Sequence, residues 1–228
     1  MILGPGFFFI THEQSHEFVA QAAISSAHSL TATAAFAAGY IVAAKKYGAI
    51  KSLQIASAVW VLTSTVLFQF PLTLETALLS YAAIFVASRY VAHRSCQTAL
   101  TLNLTRRPNS WSSVTFRALL AGLSVGLSSF FGLMLGPEAS GLILGFPVAT
   151  IVIAYSLHTA VGREVSRPTA RASITGMLSV SCFAFVIAWL AQHKVDFPDS
   201  FLIALSSSLV VSGVLAAFSV FVGRRRHP

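Results

Sequence analysis

Seven long apolar stretches, joined by short polar connections, dominate this chain of 228 residues. Only 10% of the residues are charged, whereas soluble globular proteins carry about 25%. A helix that crosses a membrane needs about 20 mostly apolar residues. We therefore predict an all-α, polytopic membrane protein with about seven transmembrane helices, whose main partner is the lipid bilayer. The predicted spans are 18–44, 52–69, 72–88, 116–136, 139–161, 170–192 and 200–222.

The charged residues divide between the two ends of these spans. If the spans cross in alternate directions, fourteen of the fifteen Lys and Arg residues lie on one side and only Lys194 lies on the other. Six of the seven acidic residues lie opposite the basic ones, Glu164 being the exception. Positively charged connections remain in the cytosol, so we predict an outer N-terminus and a cytosolic C-terminus. The same bias explains the net charge of +8, and we expect no nucleic-acid partner.

These assignments divide the chain into five segments. An outer-face segment, 1–17, precedes a first membrane half with three spans, 18–88. A cytosolic linker, 89–115, leads to a second membrane half with four spans, 116–222, and a basic cytosolic tail, 223–228, comes last.

The two halves share three landmarks in the same order. LGPG at 3–6 corresponds to LGPE at 135–138, and Tyr40 corresponds to Tyr155. In each half a Phe-Pro pair then follows, with Ala-Leu six residues after the proline. This order suggests an internal repeat, and the repeat would be parallel because the first and fifth spans both run from outside to inside. Many carriers are built from repeats and bind substrate between them. The spacing between landmarks differs between the halves, and chance similarity of apolar helices is the alternative.

The second half also carries a family resemblance. Residues 138–175 read EASGLILGFPVATIVIAYSLHTAVGREVSRPTARASIT, with Ser-Gly-Leu at 140–142, then Phe146-Pro147, His158 and a polar Gly-Arg-Glu turn. This pattern resembles the GlpM-like family of small bacterial inner-membrane proteins, over about residues 117–222. The resemblance implies a four-span unit in the cell inner membrane, and it carries no defined biochemical activity.

A zinc-protease pattern lies near the N-terminus, where THEQSHE contains H-E-x-x-H. On a helix this spacing places two imidazoles on one face beside a carboxylate, which makes His12, Glu13 and His16 weak candidates for metal ligands. A capping box of Thr11 and Gln14, which predicts that a helix begins here, explains the stretch without a metal. A zinc site also needs a third protein ligand, and no metzincin continuation follows. We therefore predict no metal and no other cofactor.

The fifth span combines close-packing glycines with a proline. Gly141 and Gly145 lie four residues apart on one face, which lets another helix approach, and Gly122 and Gly126 repeat this spacing in the fourth span. Pro147 removes a helix hydrogen bond and disfavours helical geometry in the residue before it. We predict a break at 145–147. Carriers bind ions and substrates at such breaks, and a simple packing kink is the alternative.

Three polar residues join Gly145 and Pro147 as candidates for a substrate or ion pathway. His28 is an ionisable group deep in the first span, which marks a functional site by default; a neutral histidine bonded between helices is the alternative. Glu138 precedes the fifth span and is either a proton or cation site or a partner of the helix dipole. Tyr155 completes the set, because the substrate would lie between the two halves.

These features predict a small transporter or permease-like protein that moves a small molecule or a lipid between two helical halves. The alternative is a non-catalytic subunit or assembly factor of a larger membrane complex, bound to another membrane protein or to a second copy of itself. The sequence contains no P-loop, dinucleotide fingerprint or buried carboxylate pair, and the polar candidates lie at different depths. We therefore predict that the protein is not an enzyme, and an intramembrane enzyme acting on lipid or peptide, which would need these groups at one depth, is the last alternative.

Overall fold

The computed structural model describes residues 4, 6–8, 14–96, 115, 119, 123 and 134–225, except for the side chains at 220 and 222–225. All regular secondary structure within these residues is helical. Seven helices have both ends in this part of the chain: α1 (His16–Ala43), α2 (Ala49–Leu67), α3 (Leu74–Ser95), α4 (Pro137–Leu144), α5 (Val148–Ala160), α6 (Arg163–Gln192) and α7 (Phe197–Arg225).

The predicted all-α membrane architecture is confirmed in its coarse form. Four described helical segments are long and apolar enough to cross a membrane, namely Ala49–Leu67, Pro137–Ala160, Arg163–Gln192 and Phe197–Ser219. The predicted spans at 18–44 and 72–88 are also helical, as α1 and α3, but these helices are not among the four. The predicted span at 116–136 lies almost wholly outside the described residues. The number of seven spans therefore stays a prediction.

α3 and α6 each extend well beyond their predicted spans at the end where basic residues collect. α3 continues past 88 to Ser95, and α6 begins at Arg163 rather than at 170. Hydropathy locates the part of a helix that fits the hydrocarbon of the bilayer. The helix itself continues into the polar interface, where side chains and water satisfy its terminal groups. The first residues of the predicted linker 89–115 are therefore helical.

α1 is the central helix of the described bundle, since 21 of its 28 residues are buried. It contacts α2, α3, α4 and α6. Serine and threonine side chains reduce its apolar character, which is tolerated because these groups bond to neighbouring helices rather than face lipid. In α7, by contrast, only 11% of the most apolar 18-residue stretch is buried. α7 therefore lies at the periphery.

The described helices alternate in direction, so that their termini gather at two ends. We call the end where α1 and α3 stop and α6 starts the basic end, because Arg163 contacts Lys45 there and Arg167 contacts Ser95. α4 starts away from the basic end, level with Ser25 of α1. α3 therefore ends at one end of the bundle and α4 starts at the other, as a further span at 116–136 between them would require.

The described residues of the predicted outer-face segment take part in the core. Phe7 is fully buried, and its ring centroid lies 6.2 Å from that of Phe183 in α6. Gly6 packs directly against Leu144 of α4. Part of the segment 1–17 therefore packs between helices at the end opposite the basic end.

Candidate functional site

The predicted break at 145–147 is present and separates α4 from α5. Pro147 has no N–H to donate back into α4. The Phe146 N–H donates to the Ile143 carbonyl at 3.1 Å, and not to the carbonyl four residues back that a continuous helix would use. The break therefore leaves backbone carbonyls in need of other donors.

Four hydroxyl groups of α1, which we call the hydroxyl ladder, donate to carbonyls of the broken helix. The recurrence of Ser25, Ser29 and Thr33 at every fourth position places them on one face of α1. Inside a bilayer each backbone carbonyl must find its donor within the protein, so the hydroxyl ladder stabilises the break. The bonds are Ser25 to Glu138 (2.6 Å), Ser26 to Gly141 (3.1 Å), Ser29 to Leu142 (2.9 Å) and Thr33 to Gly145 (2.9 Å).

Two glycines of the broken helix permit this close contact. A Cβ atom on Gly141 would overlap the carbonyl oxygen of Ala22, and one on Gly145 would overlap the Ser29 side chain. These are the glycines whose spacing predicts a close helix contact, and here they lie against α1. The second predicted pair, Gly122 and Gly126, lies outside the described residues.

An aromatic pair closes the break from the side of α2. The Trp60 indole N–H donates to the Thr33 hydroxyl at 3.2 Å. The Trp60 ring meets Phe146 edge to face, with centroids 4.9 Å apart. The break is therefore packed shut in this structure, and its carbonyls, hydroxyls and rings form one contact region between α1, α2 and α4.

His28 lies on a different face of α1 from the hydroxyl ladder. It is 1% exposed, and its ring centroid lies 6.2 Å from that of Phe68, just after α2. Its Nδ1 lies 3.1 Å from the Ile24 carbonyl oxygen. Because a carbonyl can only accept, Nδ1 carries the hydrogen and Nε2 is left as an acceptor. Nε2 has no hydrogen-bond partner among the described residues.

A second unpartnered polar atom lies nearby on α2. The buried Ser64 Oγ makes no hydrogen bond within the described part of the chain. Ser64 precedes Phe68 by four residues and so shares its face of the helix, and Phe68 contacts His28. Leaving a buried polar group unpaired costs about 1–3 kcal/mol. Two buried polar atoms, His28 Nε2 and Ser64 Oγ, therefore lack a hydrogen-bond partner among the described residues.

A hydroxyl and imidazole cluster lies nearer the basic end. The fully buried Tyr40 hydroxyl donates to Ser166 Oγ at 2.9 Å and lies 2.9 Å from His158 Nδ1. It also lies 3.4 Å from the carbonyl oxygen of Ala154. In the sequence, Tyr40 serves only as a repeat landmark and His158 only as part of the family resemblance. The signal that could have found this cluster is a tyrosine near the basic end of α1, a helix otherwise rich in small residues.

The structure does not bring the five predicted pathway residues together. Tyr155 is 45% exposed on α5, and the Glu138 side chain is exposed at the start of α4. Gly145 and Pro147 lie at the break, whereas His28 faces α2. The candidate site therefore consists of two neighbouring parts of α1: the packed break on one face and the buried imidazole on another.

Three arginines of α6, which we call the arginine ladder, hold the ends of α1 and α3. They lie four residues apart and therefore on one face of α6. Each donates to carbonyls at the C-terminal end of a helix, where the helix dipole favours a cation. The contacts run from Arg163 to Lys45, from Arg167 to Ile41 and Ser95, and from Arg171 to Cys96.

The H-E-x-x-H pattern is not assembled on α1. α1 begins at His16, and the Ser15 hydroxyl caps it by accepting the Phe18 N–H at 3.3 Å. The predicted helix start at the Thr11 capping box is therefore wrong for α1, because Ser15 supplies the cap. His12 and Glu13 precede α1 and lie outside the described residues. Within the described part of the chain, no group of three His, Cys, Asp or Glu side chains is placed to hold a metal.

Comparison with known proteins gives no further assignment. No protein-family model, no curated protein and no solved structure matches the chain. The resemblance to the GlpM-like family therefore stays a prediction, and function must be inferred from the geometry of the site.

Proposed function

We propose that the protein is a small membrane carrier that moves a small molecule or a lipid, with His28 beside the path. The observation that supports this most is the imidazole Nε2, an acceptor buried in the bundle without a partner among the described residues. In a low-dielectric interior such an atom is costly. A transported molecule that donates a hydrogen bond, or a proton, would satisfy it.

In this proposal the broken helix, α4 and α5, is the element that moves during transport. Carriers of several folds place discontinuous helices at their binding sites, where freed carbonyls contact the cargo. Here the carbonyls of Leu142 and Gly145 are bonded to Ser29 and Thr33. These hydrogen bonds are individually weak, about 0.6 kcal/mol on average between membrane helices. A cargo can therefore exchange with them at low cost while α4 shifts along α1.

We further propose that the carrier lies in the cell inner membrane with its C-terminus in the cytosol. The described arginine ladder and the lysines that follow α1 lie at the same end of the bundle, as the positive-inside rule requires of a cytosolic face.

The test measures cargo-dependent proton movement in proteoliposomes that contain the pH dye pyranine. The outside solution presents, one class at a time, amino acids, carboxylic acids, sugars and amphiphilic amines. We expect one class to change the internal pH, and we expect His28→Ala to lower that rate at least tenfold. His193→Ala is the matched control, because His193 is exposed after the end of α6 rather than buried in the bundle and should leave the rate unchanged.

The alternative function makes the opposite prediction. A subunit or assembly factor would move none of the four classes, and it would leave its native membrane with a stoichiometric protein partner. Equal rates for the parent protein and His28→Ala would also contradict the proposed path.

A further inference from the structure

A groove of about 650 Å³ opens on α1 between α2 and α3, near the basic end. Small residues of α1, including Ala35, Ala38 and Gly39, form its floor. Val42 and Ile55 line it while remaining 45% and 40% exposed, so it is open to the surroundings of the bundle. The groove lies apart from the broken helix, which contacts another face of α1.

The mouth of the groove differs chemically from its interior. Lys45, Lys46 and Tyr47 line it where α1 ends, and all three are exposed. Among the described residues, neither lysine forms an ion pair; the acidic side chain at this end, Glu164, pairs with Arg163 at 3.4 Å. The ammonium groups of Lys45 and Lys46 therefore lie at one end of an apolar groove.

The length of the groove matches one leaflet of a bilayer. From Ala35 to the end of α1 at Ala43 the helix rises by about 12 Å at 1.5 Å per residue, and a turn then leads on to Lys46. The hydrocarbon core of a bilayer is about 30 Å thick, so the groove covers about half of it. With the groove in the leaflet at the basic end, Tyr47 would lie in the headgroup region, which aromatic side chains favour.

We propose that this groove binds an anionic phospholipid of the leaflet at the basic end. An acyl chain lies along the α1 floor between α2 and α3, and the phosphate contacts Lys45 and Lys46. Charge complementarity at the mouth selects the occupant, since an uncharged helix from a partner would leave both lysines unpaired. None of the described residues of the predicted span at 116–136 lines the groove. This site does not depend on the proposed carrier function.

The test is native mass spectrometry of delipidated protein in mild detergent. The protein is mixed with dioleoyl phosphatidylglycerol or, separately, with dioleoyl phosphatidylcholine at the same molar ratio. We expect at least tenfold tighter binding of phosphatidylglycerol. Lysines near anionic lipid contribute about 1 kcal/mol each, so the double variant Lys45→Gln, Lys46→Gln should weaken that binding roughly ten- to thirtyfold. Lys51→Gln is the matched control, because Lys51 is exposed but does not line the groove.

A second pair of variants separates the groove from a general basic surface. Ala87 is an exposed residue of α3 that lines the groove, and Ala87→Trp should fill it and reduce lipid binding at least fivefold. Ala83→Trp, one turn earlier and also exposed outside the groove, should not change binding.

Three results would overturn the proposal. Equal binding of the two lipids would contradict a site for anionic headgroups at Lys45 and Lys46. Loss of binding in the lysine variant but not in Ala87→Trp would leave only surface attraction, without an acyl chain in the groove. A dimer that forms without lipid and dissociates in Ala87→Trp would identify the groove as a contact between copies of the chain.

Discussion

At the scale of single residues, the arginine ladder gives the basic side chains of α6 a role in helix packing. The sequence predicts only that they mark the cytosolic side. In the structure, the partly buried Arg167 donates to the carbonyls of Ile41 in α1 and Ser95 in α3. A planar guanidinium can reach two acceptors at once, which a lysine cannot do with the same geometry. Arg167, whose charge contributes to the predicted orientation, therefore also joins α1, α3 and α6.

We expect Arg167→Ala to lower the free energy of unfolding by about 2–3 kcal/mol, because charge-assisted hydrogen bonds are lost and buried carbonyls lose a donor. Arg167→Lys should recover only part of this stability. Reversible unfolding in mixed detergent, followed by circular dichroism, gives the measurement.

Arg94→Ala is the control for this prediction. Arg94 is exposed and lies 5.1 Å above the Tyr90 ring, so its removal should cost less than about 1 kcal/mol. Equal losses for the two variants would mean that the arginine ladder does not fasten the helix ends.

At the scale of helices, the contact between α1 and α4 depends on glycine as much as on hydroxyl groups. Helices in a membrane gain little from apolar burial and associate through close packing and hydrogen bonds. The hydroxyl ladder can reach its carbonyls only because Gly141 and Gly145 carry no side chain. The four hydroxyl groups of the ladder are therefore explained by the broken helix beside them, whereas the His28 Nε2 has no partner among the described residues.

We expect Gly141→Ala to destabilise the protein by about 2–3 kcal/mol, because the new methyl group meets backbone atoms of Ala22 and Ser26 that cannot rotate away. The same unfolding assay measures this loss. Gly213→Ala in α7 is the matched control, since no atom lies within 4 Å of its added Cβ. The control should be neutral or stabilising by up to about 1 kcal/mol, as expected for alanine in a helix. A neutral Gly141→Ala would contradict the close packing.

At the scale of the whole molecule, Arg163 and Arg167 of α6 lie with Lys45 and Ser95 at one end of the described bundle, and which side of the membrane this end faces is a prediction. Burial raises the pKa of the Cys96 thiol despite the nearby arginines, so this native cysteine would react slowly with labels. Orientation is better measured with new cysteines at exposed positions in a variant that lacks both native cysteines.

We expect Asp199→Cys to react with a membrane-impermeant maleimide on intact cells, because the predicted outer face contains Asp199. Lys46→Cys should react only after the membrane is opened. The reverse labelling pattern would show that the orientation is inverted, while leaving the helix arrangement intact.

The internal repeat remains a prediction at this scale. Ala77 and Ala204, which follow the two Phe-Pro pairs at equal spacing, are both fully buried in one core cluster. The two landmark tyrosines differ, since Tyr40 is buried and Tyr155 is exposed. Equivalent positions in the two halves therefore share an environment in one case and not in the other.

Much of the architecture follows from the sequence because the bilayer imposes strict conditions. A backbone in hydrocarbon must satisfy its own hydrogen bonds, which selects helices, and positive charge does not readily cross. The break at 145–147 is equally local, because Pro147 lacks an N–H wherever it is placed. These features depend on residues close together in the chain, and they can therefore be predicted from a single sequence.

The partner of each polar side chain was decided only by the tertiary structure. Ser29 lies 113 residues from Leu142, whose carbonyl it bonds, and Tyr40 lies 126 residues from Ser166. Helical periodicity shows which residues share a face, but it does not show which neighbour that face meets. Tyr155 was therefore expected in the interior and lies on the surface, while Tyr40 occupies the interior. The sequence determined the helices and the ends at which their basic residues collect, because apolar segments enter lipid and charged residues stay in water. Packing between distant helices determined which side chains form the site.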